Sequence, residues 1–597
     1  MRLLHLFLFL GLLAGPGLLL RTQAQAVPGF DRVALYGLPA SGAGPGSYIE
    51  VRHTTVDTQG NGYVVGNFRD SVAFGGLSTP AASYGVRNGG FIAKLDANGA
   101  WTWFELLPET LTPYAVAVDA QGDLYLTGSF ISRIVLTGTP LVALGFNDVF
   151  VAKFNGSTHR CEWAVRAGGQ DAGHETGNAV VLSPAGALYV AGTYTSARAD
   201  FGATTLTLPN TRGKAMCFLS RLDPQTGAWR WTTQGGYDQY DNRISGLTAD
   251  ATGAYLAGQY TQRATFGPLT LTNSPTGPVA DVFVAKAAAG NGAWQWARGT
   301  ESTTLPYSLA PGYVPGATWC DGLATDGRWV YLVGSTSART CRFGTTTLNN
   351  LGPHPGFDAF VARLSAASGA WGWAVQGGSA DTEGAQGIAV GAGGGRLYIS
   401  GLRSGNSLSF LPATASGTGS LYVAELDTTA GAGRWVVVGG QAIGATTGSS
   451  LPTGRYTRQG GHVALDGQGR LHLASVFYQE PVSFSPINVA PTRLPTTYIR
   501  HFLARLSGGP LAINRGGPAT AGGWTVYPNP ASRGRAVSVV GLRSGQLVQV
   551  LDVLGREVAR GLVPLGGEPL ALTLPIDCAT GLYLVRAAGQ VRRLVVE

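Results

Sequence analysis

Charge is scarce in this chain. Only 13% of its 597 residues are Asp, Glu, Lys or Arg, while 44% are apolar; an ordinary soluble domain is roughly a quarter charged. A solvated disordered chain needs low hydrophobicity and high net charge, so that class is excluded. Cysteine is scarce as well, with five residues (Cys161, Cys217, Cys320, Cys341, Cys578) and no CxxC. A zinc site or dithiol redox motif therefore has nothing to rest on. Cys320 and Cys341 are close enough in sequence for one disulfide in an oxidising compartment; alternatively, all five are small core fillers. After residue 26 no segment has 18 uninterrupted apolar residues, so no transmembrane helix is expected in the mature chain. Basic runs are missing too. Of the formal +8, the first 26 residues hold +2 and the last 74 hold +3 (eight Arg, five acids), leaving +3 between (8 − 2 − 3). Without a basic stripe interleaved with aromatics, nucleic acid is not an expected partner.

What is abundant is glycine. The 89 glycines are spread throughout without a Gly-X-Y period, about twice the usual share. With Thr, Val, Tyr and Trp between them, they read as many short strands joined by tight turns.

Met1-Arg2 leads into an apolar run, Leu3 to Leu20, broken at Gly15-Pro16-Gly17 and followed by Gln23-Ala24-Gln25-Ala26. A charged start, an apolar stretch and Ala-x-Ala make a secretory signal peptide, cleaved after Ala26. The alternative is a retained anchor; the Gly-Pro-Gly break and small-residue exit favour cleavage.

The middle of the chain repeats itself. One phrase is apolar-Tyr-apolar-x-Gly, centred on Tyr63, Tyr125, Tyr189, Tyr255, Tyr331 and Tyr398, with His472 as a degenerate seventh; the steps run from 62 to 76 residues. Upstream lies a turn such as Asp57-Thr-Gln-Gly60 or Asp119-Ala-Gln-Gly122, hairpin chemistry in which Asp accepts bonds from its own turn. Downstream comes a half-buried strand, Phe91-Ile-Ala-Lys94 and its relatives through Phe502-Leu-Ala-Arg505. Last comes Trp-x-Trp: Trp101/Trp103, Trp229/Trp231, Trp294/Trp296 and Trp371/Trp373, with Trp163 and Trp435 as lone second indoles. Residues two apart on a strand face one side, so both indoles are expected to stack on a neighbouring sheet; a carbohydrate-stacking platform is the functional alternative. Four strands per unit and about seven units predict a seven-bladed β-propeller over residues 27–510. A β-helix is the rival architecture, but its period is about 20 to 30 residues. The last unit lacks its fourth strand, and Phe30 to Gly37 is expected to supply it and close the ring.

The Asp-x-x-Gly-Asn-x-Tyr-Val-x-Gly phrase resembles the bacterial β-propeller repeat family known as SBBP over roughly residues 45–510. The third and sixth units depart from it, with Ser183 and Gly391 at the turn Asp. The resemblance implies a propeller of unassigned activity.

Residues 511–523, rich in Gly, Pro and Ala, read as a linker, and residues 524–597 as a small β-sandwich of about seven strands. Tyr527-Pro528-Asn529-Pro530, Leu551-Asp-Val-Leu-Gly555-Arg-Glu-Val558, Gly581-Leu-Tyr583-Leu-Val585 and Arg593-Leu-Val-Val-Glu597 follow in order. This block resembles the type A C-terminal sorting domain of the type IX secretion system of Bacteroidota. The resemblance implies the type IX machinery as partner, with Tyr527, Pro528, Asn529, Pro530, Gly555, Gly581 and Tyr583 as the sorting motif. It also implies transit through the periplasm to the outer-membrane surface or the medium.

Catalytic motifs are missing: no Gly-x-Ser-x-Gly, no His-Glu-x-x-His, no phosphate-cradling GxxxxGK[ST]. Asp223-Pro-Gln-Thr-Gly227-Ala-Trp-Arg-Trp231 comes near a quinoprotein docking phrase, but a turn with a Gly bulge explains it. No cofactor is expected. Calcium could sit at the Asp turns, though each offers only one or two carboxylates. The leading expectation is a non-catalytic surface or secreted scaffold binding a glycan or protein, with residues 300–318 and 440–459 as contact loops. The alternative is a polysaccharide hydrolase or lyase using Asp171, Glu175, Asp238, Asp241, Asp381 and Glu383 clustered on one face.

Overall fold

The computed structural model describes residues 30–36, 48–78, 88–208, 215–236, 243–273, 279–303, 316–351, 356–379, 381–404, 407–416, 420–439, 441–442, 462–477, 482–484, 487–489 and 500–506. In the last part of the chain it describes 525–527, 531, 533–540, 542, 545–552, 556–564, 570–587 and 590–596. The described residues are all strands and turns, with no helix. The chain divides into two compact units, 1–512 and 513–597.

The first unit repeats one antiparallel design. Tyr48–Val56, Gly62–Arg69, Asn88–Leu95 and Trp101–Leu106 pair in that order. Five further sheets follow the same plan, their first strands starting at Leu111, Thr176, Arg243, Thr318 and Glu383. The seventh runs His462–Leu465, Leu471–Phe477 and Arg500–Leu506. Its fourth strand is Phe30–Tyr36, antiparallel to Arg500–Leu506 with Val33 opposite Ala504. First strands of successive sheets touch, and that of the seventh touches that of the first. This is a β-propeller whose ring is closed by the N-terminal strand, as the sequence predicted.

The repeated phrases have separate physical jobs. In the turn between first and second strands, Asp57 Oδ1 accepts the amides of Gln59 and Asn61 (3.0 and 2.8 Å), and its Oδ2 accepts the Tyr63 hydroxyl (3.1 Å). The pairs Asp119–Tyr125, Asp250–Tyr255 and Asp326–Tyr331 repeat this, and Asp466–His472 substitutes an imidazole. A buried hydroxyl needs such a partner. The glycine ending the phrase faces a bulge in the first strand: a Cβ on Gly128 would lie 2.0 Å from the Thr112 carbonyl oxygen, and one on Gly334 1.8 Å from that of Trp319. Only glycine allows that approach.

The tryptophans correct one expectation. The two indoles of a Trp-x-Trp do not share a face. A bulge separates them, with Trp229 opposite Leu222 and Trp231 opposite Arg221, and one extra residue reverses which side the next side chain takes. Trp229 packs in the apolar layer against the second sheet and Trp231 in the layer against the fourth. The second indole is the forward staple: Trp163, Trp231, Trp296 and Trp373 donate to the carbonyls of Pro224, Ala289, Ala366 and Thr428 in the next sheet (3.0–3.2 Å). The Lys or Arg ending the Phe-x-Ala phrase reaches the same carbonyls from Arg221, Lys286 and Arg363. Where the fourth strand comes from the N-terminus, Arg32 takes this place, donating to the Ala97 carbonyl.

A small hairpin between second and third strands of every sheet is absent from the sequence reading. Arg198–Phe201 with Thr204–Thr207 is typical. Its signal was present as recurring Phe-Gly-x-x-x-Leu-Thr runs such as Phe201–Thr207. At two to four residues per strand, such runs pass for loop.

In the second unit, Thr525–Tyr527, Ala536–Val540 and Leu570–Thr573 form one sheet; Glu557–Leu562, Leu547–Leu551, Gly581–Ala587 and Gln590–Val596 form another. Val537, Val539, Val548, Val550, Val585 and Leu594 from the two share one core.

Candidate functional site

In an antiparallel meander, one end of each sheet carries the Asp turns and the other carries the hairpins and the links between sheets. At the hairpin end, between the second and third sheets, a cup of about 380 Å³ opens. Alternation on the first strand of the second sheet turns Thr112 and Tyr114 toward it. Ser129 comes from the second strand, Asn147 from just before the third, and His174 and Thr176 from the start of the next sheet.

The cup is a hydrogen-bonded construction. His174 Nδ1 lies 2.8 Å from Asn147 Oδ1, and Asn147 Nδ2 donates to the Glu175 carbonyl (2.7 Å). The His174 amide donates to Thr195 Oγ1 (2.6 Å), and Thr176 and Thr193 hydroxyls meet at 3.1 Å. Phe146, 55% exposed, packs its ring 4.7 Å from His174. The Arg52 guanidinium lies over Tyr114 at 5.0 Å. None of the residues lining the cup is a carboxylate. Hydroxyls, an amide and an imidazole beside aromatic rings can orient a hydroxylated ligand.

The acids named from the sequence lie at different seams. Glu175 is buried, and its Oε1 accepts the Ser196 hydroxyl (2.7 Å) and amide (3.1 Å); burial pushes its pKa up. Asp171 Oδ2 accepts the Ala197 amide (2.7 Å), and the Ser196 hydroxyl helps hold it below the usual carboxylate range. Glu383 does at the fifth-to-sixth seam what Glu175 does at the second-to-third, accepting the Ser379 hydroxyl and amide (2.6 and 3.0 Å). Burial pushes it up to about 7. Asp381 is exposed beside it. Asp238 and Asp241 lie outside the described residues, as do most of the proposed contact loops 300–318 and 440–459. The four described acids thus form two link clasps at separate seams of the link end, with Glu175 and Glu383 buried and bonded within their own seams.

Among the described residues, no group of three or more His, Cys, Asp or Glu side chains is placed to hold a metal ion. The turn carboxylates are instead spent on their own amides and tyrosines. Asp223, in the quinoprotein-like phrase, caps its turn through the amides of Gln225 and Thr226 (both 3.0 Å), and Arg230 holds it down at about 2. All five cysteines are free thiols, with Cys320 and Cys341 buried in one apolar layer. No described helix is long and apolar enough to cross a membrane. Of the sorting motif, Tyr583 is buried with its hydroxyl donating to the Ala579 carbonyl (2.8 Å) and Gly581 begins its strand; Pro528, Asn529, Pro530 and Gly555 lie outside the described residues, and Tyr527 ends a strand.

No family model matches the chain, and no curated protein does. Solved structures similar to it include the quinohemoprotein alcohol dehydrogenase of Comamonas testosteroni (10% identity, 81% of this chain and 78% of that one, TM-score 0.34). Others are the WD40 β-propeller domain of Doa1 (8%, 81% and 97%, 0.35) and a europium-containing methanol dehydrogenase (12%, 80% and 93%, 0.37). Likeness this distant carries no argument about activity, and the propeller rests on the chain's own strand order.

Proposed function

We propose that this chain is an exported, non-catalytic scaffold, a seven-bladed propeller of SBBP type that binds a glycan. The observation that carries this reading is the cup around Asn147 and His174, which sets hydroxyls, an amide and an imidazole beside Tyr114, with Phe146 packed against His174, and has no lining carboxylate. Sugar rings present an apolar face and a hydroxylated edge, a match for aromatic and amide groups set side by side. Export rests on the leader, residues 1–26, and on the ordered motifs of residues 524–597. In this reading the tail is a β-sandwich sorting domain joined through 511–523 and read by the type IX machinery. The working protein is then residues 27 to about 520, delivered through the periplasm to the cell surface or the medium.

A glycan array probed with the secreted protein tests the reading. His174→Ala and Asn147→Ala should each weaken the retained glycan about tenfold, as lost oriented hydrogen bonds do. A parallel assay should find no reducing ends; their release would overturn the non-catalytic role in favour of hydrolysis.

A further inference from the structure

The seam between the first and second sheets is built differently from its sisters. At five other seams the chain leaving a fourth strand zips onto the hairpin of the next sheet. Gly168 donates to the Asp200 carbonyl (3.2 Å), Gly236 to Thr265 (2.8 Å) and Gly378 to Ser409 (3.2 Å). Glu301–Thr303 pairs with Thr340–Arg342, and Gln441–Ala442 with Val482–Ser483. In the first three cases the donor stands five residues beyond the second indole (Trp163, Trp231, Trp373). Five beyond Trp103 stands Pro108, which has no amide hydrogen to give. Among the described residues no pairing joins Trp101–Leu106 to the hairpin strand Arg133–Val135. Val135, the counterpart of Asp200, Thr265 and Ser409, does not receive the donor those carbonyls have.

The same seam has lost its aromatic plug. In the third, fourth and fifth sheets a hairpin phenylalanine meets the first indole: Phe201–Trp229, Phe266–Trp294 and Phe343–Trp371, with centroids 5.0–5.4 Å apart. In the second sheet Leu136 and Cys161 hold these positions. A groove of about 760 Å³ remains, walled by Pro108, Val135, Leu136 and Cys161 and also by the charged Glu105, Glu109 and Arg160. Trp103 and His159 lie stacked within it at 4.3 Å. The outward hairpin residues match: Val135 and Val142 are 47% and 49% exposed, where the third sheet has Asp200 and Thr207.

We infer that this seam is a docking groove for an extended polypeptide segment of a partner protein, which supplies an aromatic side chain and a backbone N–H. The sister seams show what completes such a seam: a ring beside the hairpin and an amide on the carbonyl at the Val135 position. An extended peptide brings both at once, strand addition providing the backbone bond and the side-chain slot providing specificity. The groove is separate from the cup, so the inference stands or falls independently of glycan binding.

The probe is the capped, fluorescein-labelled peptide Thr-Trp-Thr-Trp-Lys, titrated against the full chain by fluorescence anisotropy. Binding should be saturable and weaken at least about tenfold when both Trp are Ala, the usual weight of a buried aromatic anchor. Leu136→Phe and Cys161→Trp refill the plug, and each should weaken the peptide about tenfold while raising the melting temperature. Pro108→Gly restores an amide and should also weaken it. Should Cys161→Trp fail to fold, Leu136→Phe and Pro108→Gly decide. Unchanged affinity in the refilled variants, or no binding by the native chain, overturns the inference. N-acetyl-tryptophanamide competing as well as the peptide would overturn its polypeptide part.

Discussion

Tyr255 and Tyr189 occupy the same place in successive sheets, both fully buried, yet their hydroxyls differ. Tyr255 donates to Asp250 Oδ2 at 2.6 Å, whereas the Tyr189 hydroxyl has no hydrogen-bond partner. The reason is one residue: Ser183 replaces the turn aspartate, and its single oxygen accepts the Ala187 amide (3.1 Å). Removing one half of a buried pair costs about 1–3 kcal/mol, while removing an unsatisfied hydroxyl costs little or helps. Tyr255→Phe should therefore lower the urea midpoint of the propeller and Tyr189→Phe leave it level or higher. Equal losses would break the argument. The substitution of Asp by Ser was legible in the sequence, but the orphaned hydroxyl was not, because nothing local reports what a tyrosine reaches.

At the scale of the seam, buried acids couple the sheets to pH. Burial raises Asp281 and Asp358 to about 6 and Glu383 to about 7, the charge of Asp358 adding to the last. An acid whose folded pKa is raised contributes stability that is fully present below its unfolded pKa, near 4, and lost as pH climbs through the folded value. The depressed acids, Asp171, Asp223, Asp250 and Asp466, act only at the acid end, their contribution being lost as pH falls below about 4. From pH 8 to pH 5 the raised acids should add to the melting temperature, opposed by the imidazoles of His53, His462 and His472, whose pKa burial lowers and whose contribution is lost as pH falls through about 6.5. Asp358→Asn with Glu383→Gln removes the share of those two acids and should lower the melting temperature at pH 5 relative to that at pH 8, checked by calorimetry at the two pH values. Of all these acids, Asp171 and Glu383 belong to the set that the sequence offered as an alternative catalytic group (Asp171, Glu175, Asp238, Asp241, Asp381 and Glu383), since it follows the Trp strands in successive units. Period shows which residues are equivalent, but not whether a carboxylate faces solvent or folds back on its own link.

For the whole propeller, closure is the decisive event. The seventh sheet has three strands of its own and takes Phe30–Tyr36 as the fourth, with Arg505 paired to Asp31 at 2.9 Å. Phe30 is buried against the sixth sheet's Leu421 and Trp435 layer, so the strand seals a core as well as an edge. Deleting residues 27–37 should lower the melting temperature by more than about 5 °C, given that each kcal/mol lost is worth a few degrees in a domain of this kind. An unchanged curve would rule closure out as a source of stability.

Much of this was written in the chain itself. Period-2 alternation, Asp-Gly turns and a phrase recurring every 62 to 76 residues determined the four sheet strands of each unit, though not the small hairpins between them, and the need for a borrowed strand at Phe30. These are local signals, set by backbone sterics and by which face of a strand is apolar. Tertiary structure alone decided which way each indole turns, because a one-residue bulge at Trp229–Trp231 reverses the parity that alternation assumes. It alone showed Asp171 and Glu383 to lie at separate seams, and Pro108, Leu136 and Cys161 to meet at one. Those three are far apart in sequence and ordinary as residues, and only packing against a missing neighbour makes a groove of them.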